Sequence, residues 1–305
     1  MINNQFKDKV VLVTGGTGSI GGEIVRRVLQ QKPKLVKIYA RGEYAHWILE
    51  RELEEKFPRE LFQHIIGDIR DEKRLDLSLN NVDVIFHAAG LKHVPYAEQN
   101  PDEAFGVNVE GGNTLIRCAA KHNVSKVIAV STDKAVYPTS VMGITKLLME
   151  RLFISDWKKH GINTSFAVVR MGNILNTRGS VSQSWTEQVK AGHSITLTDK
   201  AAQRFMIEID TAVDFILEAC YSMKGREIFI PKMKEIRMFD LAQRIIAEHG
   251  KGKNIEIKIT EMRDREKVSE SLLTTEESLS AIEKEGCFIV LPNKELANKR
   301  KNEYE

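Results

Sequence analysis

The feature that most restricts the fold is the opening stretch KVVLVTGGTGSIGGEI, residues 9–24. A short, continuously apolar run ends in glycines at 15, 18 and 21, and a helical pattern follows at once. An apolar run without alternation suits a strand covered on both faces, as in a parallel sheet. A glycine turn feeding a helix then begins a βαβ unit. The same rhythm recurs in LVKIYA (35–40), LFQHIIGD (61–68), VDVIFHAA (82–89), SKVIAVST (125–132) and TSFAVVR (164–170). Helix-length segments such as 21–31 and 111–122 lie between these predicted strands. The expectation is an α/β fold, a Rossmann-type doubly wound parallel sheet. After Arg170 the rhythm breaks into loops, helical stretches over 210–223 and 238–249, and short strands in EIFIP and IEIKI. This divides the chain into a dinucleotide-binding domain over 8–172 and a smaller C-terminal substrate-binding lobe over 173–292. Some elements of that lobe are expected to pack back on the first domain. The charged tail over 293–305 is predicted to fray and is given no function.

Composition narrows the function. A net charge of +3 over 305 residues is too small for a nucleic-acid footprint, and no Lys/Arg block carries interleaved aromatics. Cys118, Cys220 and Cys287 are scattered, which argues against a disulfide framework or zinc site and predicts no metal. No apolar run approaches the roughly 18 residues of a membrane span, and the first residues lack a signal-peptide pattern. A cytoplasmic protein without membrane contact is expected.

The G-x-x-G-x-x-G spacing lets backbone approach a pyrophosphate at a helix N-terminus. Gly15, Thr17, Gly18, Ser19, Ile20 and Gly21 are the predicted cofactor contacts there. Arg41 follows the second strand where an acid would bind the ribose 2′-hydroxyl of NAD. An arginine can accommodate a 2′-phosphate instead, so NADP is favoured over NAD. Asp68 and Ile69 are expected near the adenine, and Ala88 at the end of the fourth strand.

With HAAGLKHVPYAEQNP, the NVEGG segment and STDKA…GxTK added, the chain resembles the bacterial UDP-N-acetylglucosamine 4,6-dehydratases. These form a polysaccharide-biosynthesis branch of the extended short-chain dehydrogenase/reductase superfamily. The resemblance runs from about residue 8 to about residue 275. It implies a homo-oligomer, dimer or hexamer, with a tightly held nicotinamide cofactor. The reaction implied converts UDP-GlcNAc to UDP-2-acetamido-2,6-dideoxy-4-ketohexose with loss of one water. Members with tyrosine four residues before the helix lysine invert C5, whereas members with methionine there retain it. Here Met142 precedes Lys146, which implies retention.

The reaction needs three proton movements, and Thr132, Asp133 and Lys134 offer carriers at a strand end. By analogy Asp133 is the acid for the leaving hydroxyl and Lys134 the C5 base. A basic lysine needs burial or a nearby cation, for which Lys146 or Lys92 are the candidates. Met142 cannot exchange a proton, and no tyrosine has a lysine four residues on. Met142 and Lys146 share a helix face by their spacing, so Lys146 is expected at the ribose and nicotinamide edge. Thr132 is expected to orient the C4 hydroxyl and Asp133 to accept its proton. Matching the family motifs, Lys92 reaches both cofactor and substrate, Asn173 the substrate, and Arg204 the UDP phosphates. Arg263 and Glu266 would contact the nucleotide, although Asp264 and Arg265 replace the family's Pro-Gly between them. His87 reads as a packed structural residue; His93 stays open. Alternatives are a nucleotide-sugar 4-epimerase or ketoreductase, and a non-catalytic NADP-binding sensor.

Overall fold

The computed structural model describes residues 4–175, 177–262 and 264–304. Its strands are β1 (Val10–Thr14), β2 (Leu35–Ala40), β3 (Phe62–Ile66), β4 (Val84–His87), β5 (Lys126–Thr132), β6 (Ser165–Met171) and β7 (Asn173–Ile174). They continue as β8 (Ile195–Leu197), β9 (Gln203–Ile207), β10 (Ile228–Pro231), β11 (Lys234–Arg237), β12 (Ile257–Ile259), β13 (Ala281–Lys284) and β14 (Cys287–Val290). The main sheet has the order β13-β14-β10-β6-β5-β4-β1-β2-β3. From β10 to β3 the pairing is parallel, and β14 and β13 are added antiparallel at one edge.

Both faces of this sheet are covered, which is why its strands read as unbroken apolar runs. Val11 and Val13 of β1 face a core built with Ile24 and Val28 of the helix Ser19–Leu29. Val10 and Leu12 face the opposite core, with Leu115 of the helix Gly111–Lys121 and Phe153 of the helix Val141–Phe153. Each such fully buried side chain contributes roughly 1.5–3 kcal/mol of burial energy. The two cores hold the sheet rigid, so loops leaving its carboxyl edge start from fixed points. The strand order turns at β1, which has β2 on one side and β4 on the other. Open α/β sheets bind ligands in the crevice at such a switch.

EIFIP, expected among the lobe's strands, is β10 and lies beside β6 in the main sheet. The lobe itself holds β11-β9-β7 and β12-β8, with Trp185, Val189, Leu241 and Ile245 in a separate core. The tail does not fray: Lys294–Tyr304 is a helix docked on the sheet's edge. Glu227, fully buried, accepts from Tyr304 Oη at 2.6 Å and Arg300 Nη1 at 2.8 Å. A buried carboxylate needs such partners, and two tail residues supply them where charge density suggested solvent.

Candidate active site

The glycine loop follows β1 directly. Gly15 has φ +66°, and a Cβ there would lie 2.7 Å from the Ala88 and Ala89 backbone at the end of β4. A Cβ on Gly21 would overlap the Gly15 carbonyl oxygen. The loop is therefore a backbone cradle that side chains would fill, with the first N–H groups of the helix Ser19–Leu29 open to an anion. A cavity of about 720 Å³ lies over it. Gly15, Thr17, Gly18, Ser19, Ile20 and Gly21 line this cavity, as do Arg41, Ile69, Ala88 and Lys92 farther round its wall. This geometry fits a dinucleotide. Asp68 does not line it; its carboxylate is held by Arg70 at 2.8 Å, which keeps its pKa down at about 2. Arg41 lies 3.7 Å from Asp68 and 3.5 Å from Glu103, so its charge is shared with two acids. Arg178 covers the loop, with its backbone N–H on Ser19 Oγ at 3.0 Å and its guanidinium on the Thr17 carbonyl.

Two further cavities adjoin the first, of about 540 and 320 Å³, and Lys92, His93 and Gly179 line all three. Lys92 Nζ donates to the Arg178 carbonyl at 2.7 Å, and burial, with Arg178 adding to it, lowers the lysine's pKa. Asn108 of the NVEGG segment fixes this corner by bonding both the N–H and the carbonyl of Leu91, at 2.8 and 3.1 Å.

At the end of β5 the chain turns through Asp133–Ala135. Thr132 Oγ1 donates to Asp133 Oδ1 at 3.1 Å, and Lys134 Nζ reaches the same oxygen at 3.0 Å. Lys134 Nζ also meets Asn173 Oδ1 at 3.2 Å and Glu270 Oε1 at 3.6 Å. Thr132 and Lys134 line the smallest cavity; Asp133 does not. It is fully buried behind them, and among the described residues its Oδ2 has no hydrogen-bond partner. The neighbours of Lys134 also differ from expectation. The charged groups against it are carboxylates, whereas Lys92 Nζ sits on Arg178 and Lys146 Nζ donates to the Val130 carbonyl at 2.7 Å.

Met142 and Lys146 line that same cavity. Their helix begins at Ser140, whose Oγ accepts from Gly143 N at 3.2 Å, while Glu98 accepts from Val141 N at 2.6 Å. Such caps satisfy otherwise orphaned N–H groups. Met142 is buried against Ala97 and Ala104. Lys146 is enclosed, and burial pushes its pKa down to about 8 against the opposing pull of Glu150. His87 lies below the site, bonded through Nδ1 to Thr14 Oγ1 at 2.7 Å and stacked on Phe153.

Asn173, Arg204 and Glu266 line the cavity of about 540 Å³. Arg204 is buried and gives one bond to Glu266 at 2.9 Å and two to the Gln203 and Val268 carbonyls. Arg263 lies outside the described residues. Glu270, Asn108 and Arg178 were not read from the sequence. Asn108 opens the NVEGG motif, but Glu270 and Arg178 sit in loops whose path only the fold reveals. Among the described residues no group of His, Cys, Asp and Glu could hold a metal, and no helix is long and apolar enough to cross a membrane.

Residues 11–292 match the family model described as a polysaccharide biosynthesis protein. The chain belongs to that family. Within the short-chain dehydrogenase/reductase superfamily it stands among nucleotide-sugar dehydratases and epimerases. It is 35% identical to the UDP-N-acetylglucosamine 4,6-dehydratase (inverting) of Campylobacter jejuni, over 97% of this chain and 86% of that protein. A UDP-glucose 4-epimerase of Rickettsia canadensis is 34% identical over 91% of this chain and 81% of its own. An uncharacterized membrane protein of Methanocaldococcus jannaschii shares 48% identity over 95% of this chain and 88% of its own. The solved structure of Pen from Bacillus thuringiensis superposes with a TM-score of 0.90 at 39% identity, covering 95% of this chain and 91% of that one.

Proposed function

We propose that this member of the family is a UDP-GlcNAc 4,6-dehydratase forming UDP-2-acetamido-2,6-dideoxy-4-ketohexose, with C5 configuration retained. The observation that carries the reading is the Thr132-Asp133-Lys134 turn, whose Thr132 and Lys134 line the cavity that Met142 and Lys146 also line, with Asp133 directly behind them. The named activity of the Campylobacter jejuni relative supports the substrate. Gly15, Gly18 and Gly21, with the first N–H groups of the helix Ser19–Leu29, would hold a nicotinamide cofactor, which would supply the hydride chemistry between C4 and C6. The protons fall to this chain's own residues. Thr132 Oγ1 orients the C4 hydroxyl and passes its proton to Asp133 Oδ1, 3.1 Å away. Asp133 reaches the cavity through its neighbours and gives that proton to the C6 hydroxyl as it leaves as water. Lys134 Nζ, as the neutral amine, takes the C5 proton and, after exchange with solvent, returns a proton to C5. One amine working on one face retains configuration, and Met142 offers no second donor.

Arg204 and Glu266, with Arg263, are assigned to the UDP moiety, which requires Glu266 to release Arg204 to phosphate. Lys92 and Asn173 contact the sugar, and Lys146 the cofactor ribose. NADP is placed ahead of NAD on Arg41, which Asp68 and Glu103 must yield to a 2′-phosphate. A cytoplasmic homo-oligomer completes the proposal; the exposed Ile144 and Leu148, one turn apart on a helix, support self-association. The test is incubation with UDP-GlcNAc followed by mass spectrometry. Loss of one water is the expected result, and unchanged mass overturns it. An epimerase, the second reading supported by the Rickettsia relative's name, leaves mass unchanged.

A further inference from the structure

We propose that Glu270 is a positioning residue that holds Lys134 Nζ at the cavity wall, an inference that rests on the role of Lys134 proposed above. The Glu270 side chain is 4% exposed, and its Oε1 lies 3.6 Å from Lys134 Nζ. Its Oε2 lies 3.3 Å from Lys267 Nζ, and among the described residues no hydrogen bond satisfies that oxygen. Charge-assisted N–H···O bonds run at roughly 2.7–2.9 Å, so both of its ion pairs are long. A buried carboxylate held this loosely costs stability. Its position on the cavity wall supplies the reason to keep it.

The backbone around Glu270 leaves it little freedom. Gln203 N donates to the Val268 carbonyl at 2.9 Å, and Lys267 Nζ donates to the Val136 carbonyl at 2.7 Å. Thr139 Oγ1 donates to the Arg265 carbonyl at 2.8 Å, and Arg170 Nη1 to the Leu272 carbonyl at 3.0 Å. Glu270 is therefore a fixed anion, while Lys134 sits on a long, rotatable side chain. The neutral Lys134 amine that takes the C5 proton has two N–H donors and one lone pair. Asp133 and Asn173 accept the two N–H bonds from the β5–β7 side, at 3.0 and 3.2 Å, and Glu270 faces the nitrogen from the opposite wall at 3.6 Å, beyond hydrogen-bond reach but within electrostatic range. Two hydrogen-bond acceptors and one carboxylate, from three segments, define one position for the nitrogen. The Glu270 carboxylate comes from the segment that also carries Glu266, so nucleotide loop and amine share one rigid support.

The test compares Glu270→Gln, which keeps shape and loses charge, with Glu270→Asp, which keeps charge and loses reach. Displacing a reacting group by about 1 Å can cost about a hundredfold in rate. For Glu270→Gln, kcat is expected to fall at least about tenfold while KM for UDP-GlcNAc and affinity for UDP stay at wild-type values. Glu270→Asp is expected to recover part of that loss. Independently of turnover, Lys134 acylation by an amine-reactive ester, followed by peptide mass spectrometry, is expected to be several-fold faster in Glu270→Gln. Wild-type kcat together with wild-type Lys134 labelling overturns the inference. So does a parallel loss of kcat, UDP affinity and melting temperature, which marks a structural role. If the wild-type protein forms no dehydrated product yet Glu270→Gln still unmasks Lys134, the functional reading falls and the positioning role stands.

Discussion

Arg170 of β6 is fully buried and uses every N–H of its guanidinium. Glu150 receives two bonds, at 3.1 and 2.6 Å, Glu277 two at 2.8 and 2.9 Å, and the Leu272 carbonyl one at 3.0 Å. The triad joins the central sheet to the helix bearing Lys146 and to the segment bearing Glu266 and Glu270. Arg170→Ala removes one cation and leaves two buried carboxylates facing each other. Breaking a buried pair from one side costs about 3–5 kcal/mol; Glu150 loses both bonds while Glu277 keeps the Thr274 N–H at 3.0 Å and Arg151 at 3.8 Å, so the middle of that range is expected. The triple change Arg170→Met, Glu150→Leu, Glu277→Leu removes all three charges and should recover most of that loss. It should fall short by about 1 kcal/mol, because Glu277 also closes the capping box with Thr274. Urea unfolding followed by circular dichroism measures both variants. An Arg170→Ala protein within about 1 kcal/mol of wild type refutes the reasoning, since the buried acids would then have found other partners.

Gly21→Ala sets a Cβ against the Gly15 carbonyl and 2.9 Å from Gly16 Cα, so loop or helix must shift. Overpacking of this kind costs about 1–3 kcal/mol, and nicotinamide-cofactor affinity by fluorescence titration should drop tenfold or more. Gly22→Ala, whose Cβ meets nothing nearer than 3.5 Å, should leave it unchanged. Asp133→Asn should abolish turnover whereas Met142→Ala only weakens it, read from product formation; a fully active Asp133→Asn protein removes the assignment. Burial holds the pKa of His64 at about 4, with His46 adding to it, and burial with Lys146 holds His87 at about 3. The unfolded chain therefore binds protons below about pH 6.5 that the folded chain refuses. Stability present at pH 7 should decline as pH falls from 6.5 toward 4, by up to about 1.4 kcal/mol per pH unit for each histidine. Urea midpoints at pH 7.5 and 5 check this.

The parallel sheet was legible because double burial writes unbroken apolar runs, and the glycine loop because backbone contact excludes Cβ atoms. Lys37 shows the limit of the first signal: a charged residue in mid-strand, its Nζ caps the Ser78 and Asn80 carbonyls. The turn Thr132-Asp133-Lys134 was legible from its motif as the end of a buried strand, but the burial of Asp133 and the acids around Lys134 were not. Those depend on the segment 264–277 folding back over 134–139, a contact between residues more than a hundred positions apart. The docked tail was misread for the same reason, since its partner Glu227 lies about seventy residues upstream.

Proton NMR of the sugar nucleotide formed from UDP-GlcNAc in heavy water tests the central claim most directly. The account predicts a 4-keto-6-deoxy product carrying deuterium at C5, with the coupling pattern of retained configuration. Recovery of UDP-GlcNAc unlabelled at C5, or of its C4 epimer, contradicts it.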